Sequence, residues 1–165
     1  MAGSHGIIMN ILALDLATQT GFAIQIQGTP LSVGTRNFTQ KRGRKTIPDD
    51  SHTFTQYVQW LQTLPFNQFD RVVLERPGFF KSFDARNCSV GLRAFTVWAC
   101  DIYKVPWSEE SPGSVKKFAT GKGNAKKPEM LAAAQRMSGG LLEGMDHNAA
   151  DAYLLLRYTL SKAQG

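Results

Sequence analysis

The stretch that decides the fold is residues 10–27, Asn10-Ile11-Leu12-Ala13-Leu14-Asp15-Leu16-Ala17-Thr18-Gln19-Thr20-Gly21-Phe22-Ala23-Ile24-Gln25-Ile26-Gln27. Alternation puts Ile11, Ala13 and Asp15 on one face and Leu12, Leu14 and Leu16 on the other. Both faces of Asn10–Leu16 are apolar until the end, the pattern of a central strand, and Asp15 stands where that strand stops. Small residues and Gly21 then return the chain, which predicts a second strand over Gly21–Gln27. After the Gly28-Thr29-Pro30 turn a third follows over Leu31–Phe38. Connections this short imply an antiparallel meander.

Downstream the period changes. Gln40–Pro48 carries Lys41, Arg42, Arg44 and Lys45 around Gly43 and reads as a mobile basic loop. Asp49 or Ser51 caps a helix to about Leu64, with Phe54, Tyr57, Val58 and Leu61 on one face and Pro65 ending it. Arg71–Glu75 is a β-branched run, a buried strand that again ends in a carboxylate. Asp84–Tyr103 reads as a helix apolar almost all round, which buries more than one side. A short strand at Val105–Trp107, a helix at Pro112–Phe118 and a Gly/Lys-rich loop at Gly121–Lys127 come next. Pro128–Met137 and Asp146–Ser161 complete the helices, the last with Ala150, Leu154, Leu155 and Tyr158 inward. The order predicts an α/β fold: a five-stranded mixed sheet, three strands antiparallel and two parallel, flanked by helices.

With 165 residues the chain has room for one domain, expected over residues 9–162. Residues 1–8 read as a cloning remnant ahead of a natural start near Met9. Hydrophobic residues at 42% supply a core, and charged residues at 19% are too few for a disordered chain. The formal charge of +6 favours a polyanionic partner. No apolar run reaches the ~18–20 residues of a membrane span, and no signal peptide opens the chain, so a cytoplasmic protein without a membrane partner is expected. Cys88 and Cys100 fit neither a disulfide framework nor a zinc site and read as packed thiols.

Three carboxylates occupy places that such a fold brings together: Asp15 ending the first strand, Glu75 ending the fourth, and Asp151 in the last helix. Ligands bind at strand ends in α/β sheets. Acids sharing a cleft cannot all stay ionised without a cation between them, and hard oxygen donors select Mg²⁺ or Mn²⁺. Taken singly, the three read equally well as a turn former, a surface-paired glutamate and a solvated aspartate. Asn148 and His147 precede Asp151 by three and four residues on one helical face, with Asp146 at the helix start. Each can reach a metal held by Asp151, or serve as an ordinary cap.

The segments LALDLATQTGFAI, RVVLERPGFF, SVKKFATGKGNAKK and DHNAADAYLLL, in that order over roughly Asn10–Leu160, resemble the RuvC-type Holliday-junction resolvases, especially phage-like members. An Asp-rich first strand also resembles the phosphate loop of actin-like ATPases, but those need a second lobe for which this chain has no length. The resemblance implies an RNase H-like fold and a homodimer, through the helix around 84–103, that nicks four-way DNA junctions with two Mg²⁺ ions per site. Asp15, Glu75 and Asp151 match the metal-binding acids. At the fourth position, where the family has an acid or His, this chain has Asn148, which leaves Asp146, His147 and Asn148 as candidates, Asp146 first. The family's basic residues fall on Lys116 and Lys127, and the aromatic that probes unpaired bases falls on Phe79 or Phe80. Lys41, Arg42, Arg44, Lys45, Lys81, Lys117, Lys122 and Lys126 would follow the DNA backbone. Other readings are an RNase H-like nuclease for branched DNA, RNA–DNA hybrid or structured RNA, and a junction-binding protein without catalysis.

Overall fold

The computed structural model describes residues 9–39, 41–42, 45–46, 50–78 and 82–163. Strands β1 (Ile11–Asp15), β2 (Gln19–Gln25) and β3 (Ser32–Asn37) form the antiparallel meander. Two-residue strands β4 (Lys41–Arg42) and β5 (Lys45–Thr46) follow, then helix α1 (Asp50–Thr63), strand β6 (Arg71–Glu75) and helix α2 (Phe83–Tyr103). The remainder is β7 (Trp107–Glu110), α3 (Pro112–Thr120), α4 (Lys127–Met137) and α5 (His147–Ala163). The main sheet has the order β3-β2-β1-β6-β7, with β6 parallel to both β1 and β7. This is the five-stranded mixed sheet that the sequence pattern predicts.

The central strands separate two cores because their alternate residues face opposite ways. Ile11, Ala13 and Val73 pack under α3, α4 and α5 with Val115, Met130, Tyr153 and Leu154. Leu12, Leu14, Val72 and Leu74 pack under α1 and α2 with Tyr57, Trp60, Leu92 and Cys100. Cys88 and Cys100 are both buried. Gly21 is required by a close approach: a Cβ there would lie 2.0 Å from the Asn148 carbonyl oxygen. The start of α5 therefore rests directly on β2, beside the end of β1.

Four local expectations need correction. The strand foreseen at Val105–Trp107 lies at Trp107–Glu110, because Val105 is drawn into the core and the Pro106 carbonyl accepts the Val72 N–H at 2.9 Å. An edge strand tolerates the polar Ser108-Glu109-Glu110 that hid it. The basic stretch is not a featureless loop, since Lys41–Arg42 and Lys45–Thr46 pair antiparallel. Helix α2 buries one side, through Cys88, Ser89, Leu92, Thr96, Ala99 and Cys100, and leaves Phe83, Val90, Trp98 and Ile102 at least half exposed. Helix α5 begins at His147, with Asp146 outside it. Among the described residues no helix is long and apolar enough to cross a membrane.

Candidate metal centre

Register builds the site. Leu14 pairs with Leu74 in the parallel β1–β6 ladder, so Asp15 and Glu75 follow side by side on strands about 4.8 Å apart. The face they share is covered by α5, which brings Asp151 over them one turn inside the helix. Each acid feels the others. Burial, then the charge of Asp151, pushes Asp15 up to about 7, against the opposing Lys127. Burial, then Asp15 and Asp151, pushes Glu75 up to about 8, against Lys116. Burial raises Asp151 as well, opposed by Lys127, Lys116 and His147. Three carboxylates, two lysines and a histidine thus converge on one spot.

The donor set fits a hard divalent cation. Carboxylates that burial and mutual repulsion push toward the protonated form are what a cation relieves. His147 adds an independent sign, because its Nδ1 is buried without a hydrogen-bond partner in the first turn of α5, four residues from Asp151. Among the described residues no group of three His, Cys, Asp or Glu side chains already has its donor atoms arranged to hold a metal ion.

Asp146, the first choice from sequence for the fourth ligand, is engaged as a helix cap. Its Oδ1 accepts the Ala149 N–H at 2.9 Å and the Thr35 hydroxyl at 2.6 Å, so it caps α5 and ties the helix to β3. Burial would raise this carboxyl, but hydrogen bonds from the Ala149 N–H, the Thr35 hydroxyl and the Asn148 N–H, together with the nearby His147, hold it below the usual range. Asn148 is half-buried with its carbonyl against Gly21. Of the three candidates, His147 is the one whose charge acts on Asp151.

The lysines divide likewise. Lys116, half-buried on α3, and Lys127, at the start of α4, act on the acids. Lys117 and Lys126 are exposed, and Lys122 pairs with Glu129 at 3.4 Å. The side chains of Lys41, Arg42 and Lys45 lie outside the described residues, as do Arg44, Phe79, Phe80 and Lys81 altogether. Sequence reasoning missed Thr35, which anchors Asp146, and Glu110. Glu110 stands opposite Glu75 in the β6–β7 ladder and is 9% exposed. Lys162 Nζ meets it at 2.8 Å. A Glu in an unrecognised strand gave no signal of that pairing.

No protein-family profile matches the chain, and no curated protein matches it either. Solved structures do. The RuvC structure of Thermus thermophilus aligns with a TM-score of 0.66 at 17% identity, over 94% of this chain and 98% of that one. T. thermophilus RuvC in complex with Holliday junction substrate gives 0.69 at 15% identity, over 94% and 95%. The yeast mitochondrial Holliday junction resolvase Ydc2 gives 0.59 at 16% identity, over 94% and 79%. Over nearly its whole described length, then, the chain has the fold of the RuvC Holliday junction resolvases.

Proposed function

We propose that the protein is a metal-dependent endodeoxyribonuclease that resolves four-way DNA junctions by paired nicks. The convergence of Asp15, Glu75 and Asp151 with Lys116 and Lys127 carries this reading. The shared fold supports it, as does the T. thermophilus neighbour seen with its Holliday junction substrate. Asp15, Glu75, Asp151 and His147 would hold Mg²⁺, with Mn²⁺ able to substitute, and the chemistry such a cation would supply there is activation of water and stabilisation of the leaving oxygen of a phosphodiester. The acids fix where the scissile phosphate sits, and their burial keeps bulk water from screening them. Lys116 and Lys127 offset the charge that develops on the phosphate. Asp146 acts at one remove, by holding the α5 start that carries His147 and Asp151.

Paired nicks need two sites. The outward face of α2, with Phe83, Val90, Trp98 and Ile102 at 74%, 50%, 57% and 55% exposure, is apolar enough to pack against its own copy in a homodimer. The chain then works wherever junction DNA is found.

A labelled four-way junction tests the reading. Symmetric nicks with Mg²⁺, none with chelator, and none from Asp15→Asn despite retained binding are expected. Preferential cutting of linear duplex or RNA–DNA hybrid in competition would reassign the substrate, and metal-independent binding without nicking would leave a junction-binding protein.

A further inference from the structure

The donors of the proposed metal centre sit on two bodies. Asp15 and Glu75 close strands β1 and β6, whereas His147 and Asp151 ride on α5. The spacing between helix and sheet therefore sets how far apart the donors stand. Mg²⁺ demands near-ideal octahedral geometry with bonds of about 2.0–2.1 Å, so a site for it must be held at one spacing. Mn²⁺ is larger, takes the same oxygen donors and tolerates a looser set of distances.

The chain that leads into α5 does not fix that spacing. Between α4 and α5, Gly139, Gly140 and Gly144 all take positive φ, and a Cβ on any of them would meet nothing within 4 Å. Among the described residues the backbone hydrogen bonds of 138–146 run within that segment and the helices it joins, and none reaches the sheet. Leu142 and Met145 pack against the core, a contact without direction. Two polar pins fasten α5 to the sheet instead, one at each end and on opposite edge strands. At the far end Lys162 meets Glu110 of β7 at 2.8 Å. At the start the Thr35 hydroxyl of β3 donates to Asp146 Oδ1 at 2.6 Å, and the same oxygen accepts the Ala149 N–H at 2.9 Å. One carboxylate oxygen thus joins the edge strand to the first turn of the helix through two charge-assisted bonds. Thr35 also stands in one row with the acid, because Asp15 pairs with Gly21 and Gly21 with Thr35. Gly21, in the middle of that row, leaves no room for a Cβ beside the Asn148 carbonyl. Contact there limits how close α5 comes, and the Thr35 bond limits how far it drifts.

We infer that Thr35 is a positioning residue for metal selection: through Asp146 it holds α5 at the spacing that Mg²⁺ requires. Resting on the proposed metal centre, this role gives Thr35 no contact with the ion or the DNA. Loss of the hydroxyl frees the near end of α5 while Lys162 keeps the far end, so Asp151 and His147 gain play against Asp15 and Glu75. Affinity for Mg²⁺ falls as that play grows, and affinity for Mn²⁺ falls little.

Calorimetric titration of Mg²⁺ and of Mn²⁺ into the full chain, native and as Thr35→Val, Thr35→Ser and Glu110→Gln, tests this role. Thr35→Val keeps the branched Cβ that suits a strand, and melting temperatures establish that the variants fold. A residue hydrogen-bonded to a metal ligand typically carries about 10–100-fold in affinity, and Thr35 acts one step further out. Thr35→Val should therefore weaken Mg²⁺ by about three- to tenfold and Mn²⁺ by less than about twofold. Thr35→Ser, which still donates, should restore the native ratio. Glu110→Gln, which frees the other end of α5, should leave the ratio where it is. In an Asp146→Ala background Thr35→Val should change nothing further, as two steps of one path do. An equal loss of both ions in Thr35→Val would leave the residue a purely structural one, and no loss of either would leave the pin idle; both results overturn the inference. A native chain that binds neither ion removes the metal centre and this role with it. If the native chain binds Mg²⁺, with the Thr35→Val deficit, but never nicks a junction, the nuclease reading fails while the role of Thr35 stands.

Discussion

Glu75 and Glu110 are neighbours in one ladder, on the same face of the sheet, yet their surroundings differ completely. Glu110 is met by the Lys162 ammonium at 2.8 Å, which offsets its desolvation with a charge-assisted hydrogen bond. Glu75 is met by Asp15 and Asp151, which worsen its position, and by Lys116, which only moderates it. The fold offsets the buried carboxylate at one strand end and leaves the next unmatched, as the proposed metal site requires. Residues that exist for stability find their partners inside the chain, and residues that exist for chemistry wait for one from outside.

Glu75→Gln should break this comparison most visibly, abolishing junction nicking, on the order of a hundredfold or more, with binding retained. Glu110→Gln should leave nicking within a few-fold. For metal affinity, His147→Ala should raise the Mn²⁺ requirement about tenfold. Equal requirements in His147→Ala and the native chain would remove the imidazole from the site.

Acidity sharpens the contrast next. Asp15 and Glu75 rise from ordinary values of 3.8 and 4.5 to about 7 and about 8. The folded chain therefore holds protons that the unfolded chain has released, so without metal its stability falls as pH rises from about 4 to about 8. Below the ordinary values this dependence is absent. Thermal melts in chelator should show the decline, flatter in Asp15→Asn, and saturating Mg²⁺ at pH 8 should restore about 2–3 kcal/mol at a hundred times its Kd.

Packing changes come after these. Gly21→Ala forces a Cβ against the Asn148 carbonyl and should cost about 1–3 kcal/mol, with loss of nicking because α5 shifts off the acids. Asp146→Ala removes a helix cap and should cost about 1 kcal/mol, while Mn²⁺ affinity changes little. Glu110→Gln should cost about 1 kcal/mol by chemical denaturation, since Lys162 is exposed enough to be resolvated.

Much of this was legible in the residues. The alternation in Asn10–Leu16, the β-branched run at Arg71–Glu75 and the acids that end both strands carry the sheet order, and parallel neighbours put their ends together. Asp151 was legible from the helix that must cover that face. Asp146 could not be assigned from sequence because a carboxylate one residue before a helix has two uses, ligand and cap. The choice depended on Thr35, distant in sequence and brought close only by the β2–β3 register. Strand β7 was misplaced because Ser108-Glu109-Glu110 lacks apolar alternation, and its pairing with β6 is a long-range event that local pattern does not encode. The α2 helix shows the opposite limit: composition revealed its apolar excess, but only burial separates the inward Leu92 from the outward Trp98.

The most direct test is calorimetric titration of Mn²⁺ into the native chain, Glu75→Gln and Glu110→Gln at pH 7.5. The account predicts saturable binding by the native chain, the same binding by Glu110→Gln, and none in that range by Glu75→Gln. Equal binding by all three, or none by the native chain, would contradict it.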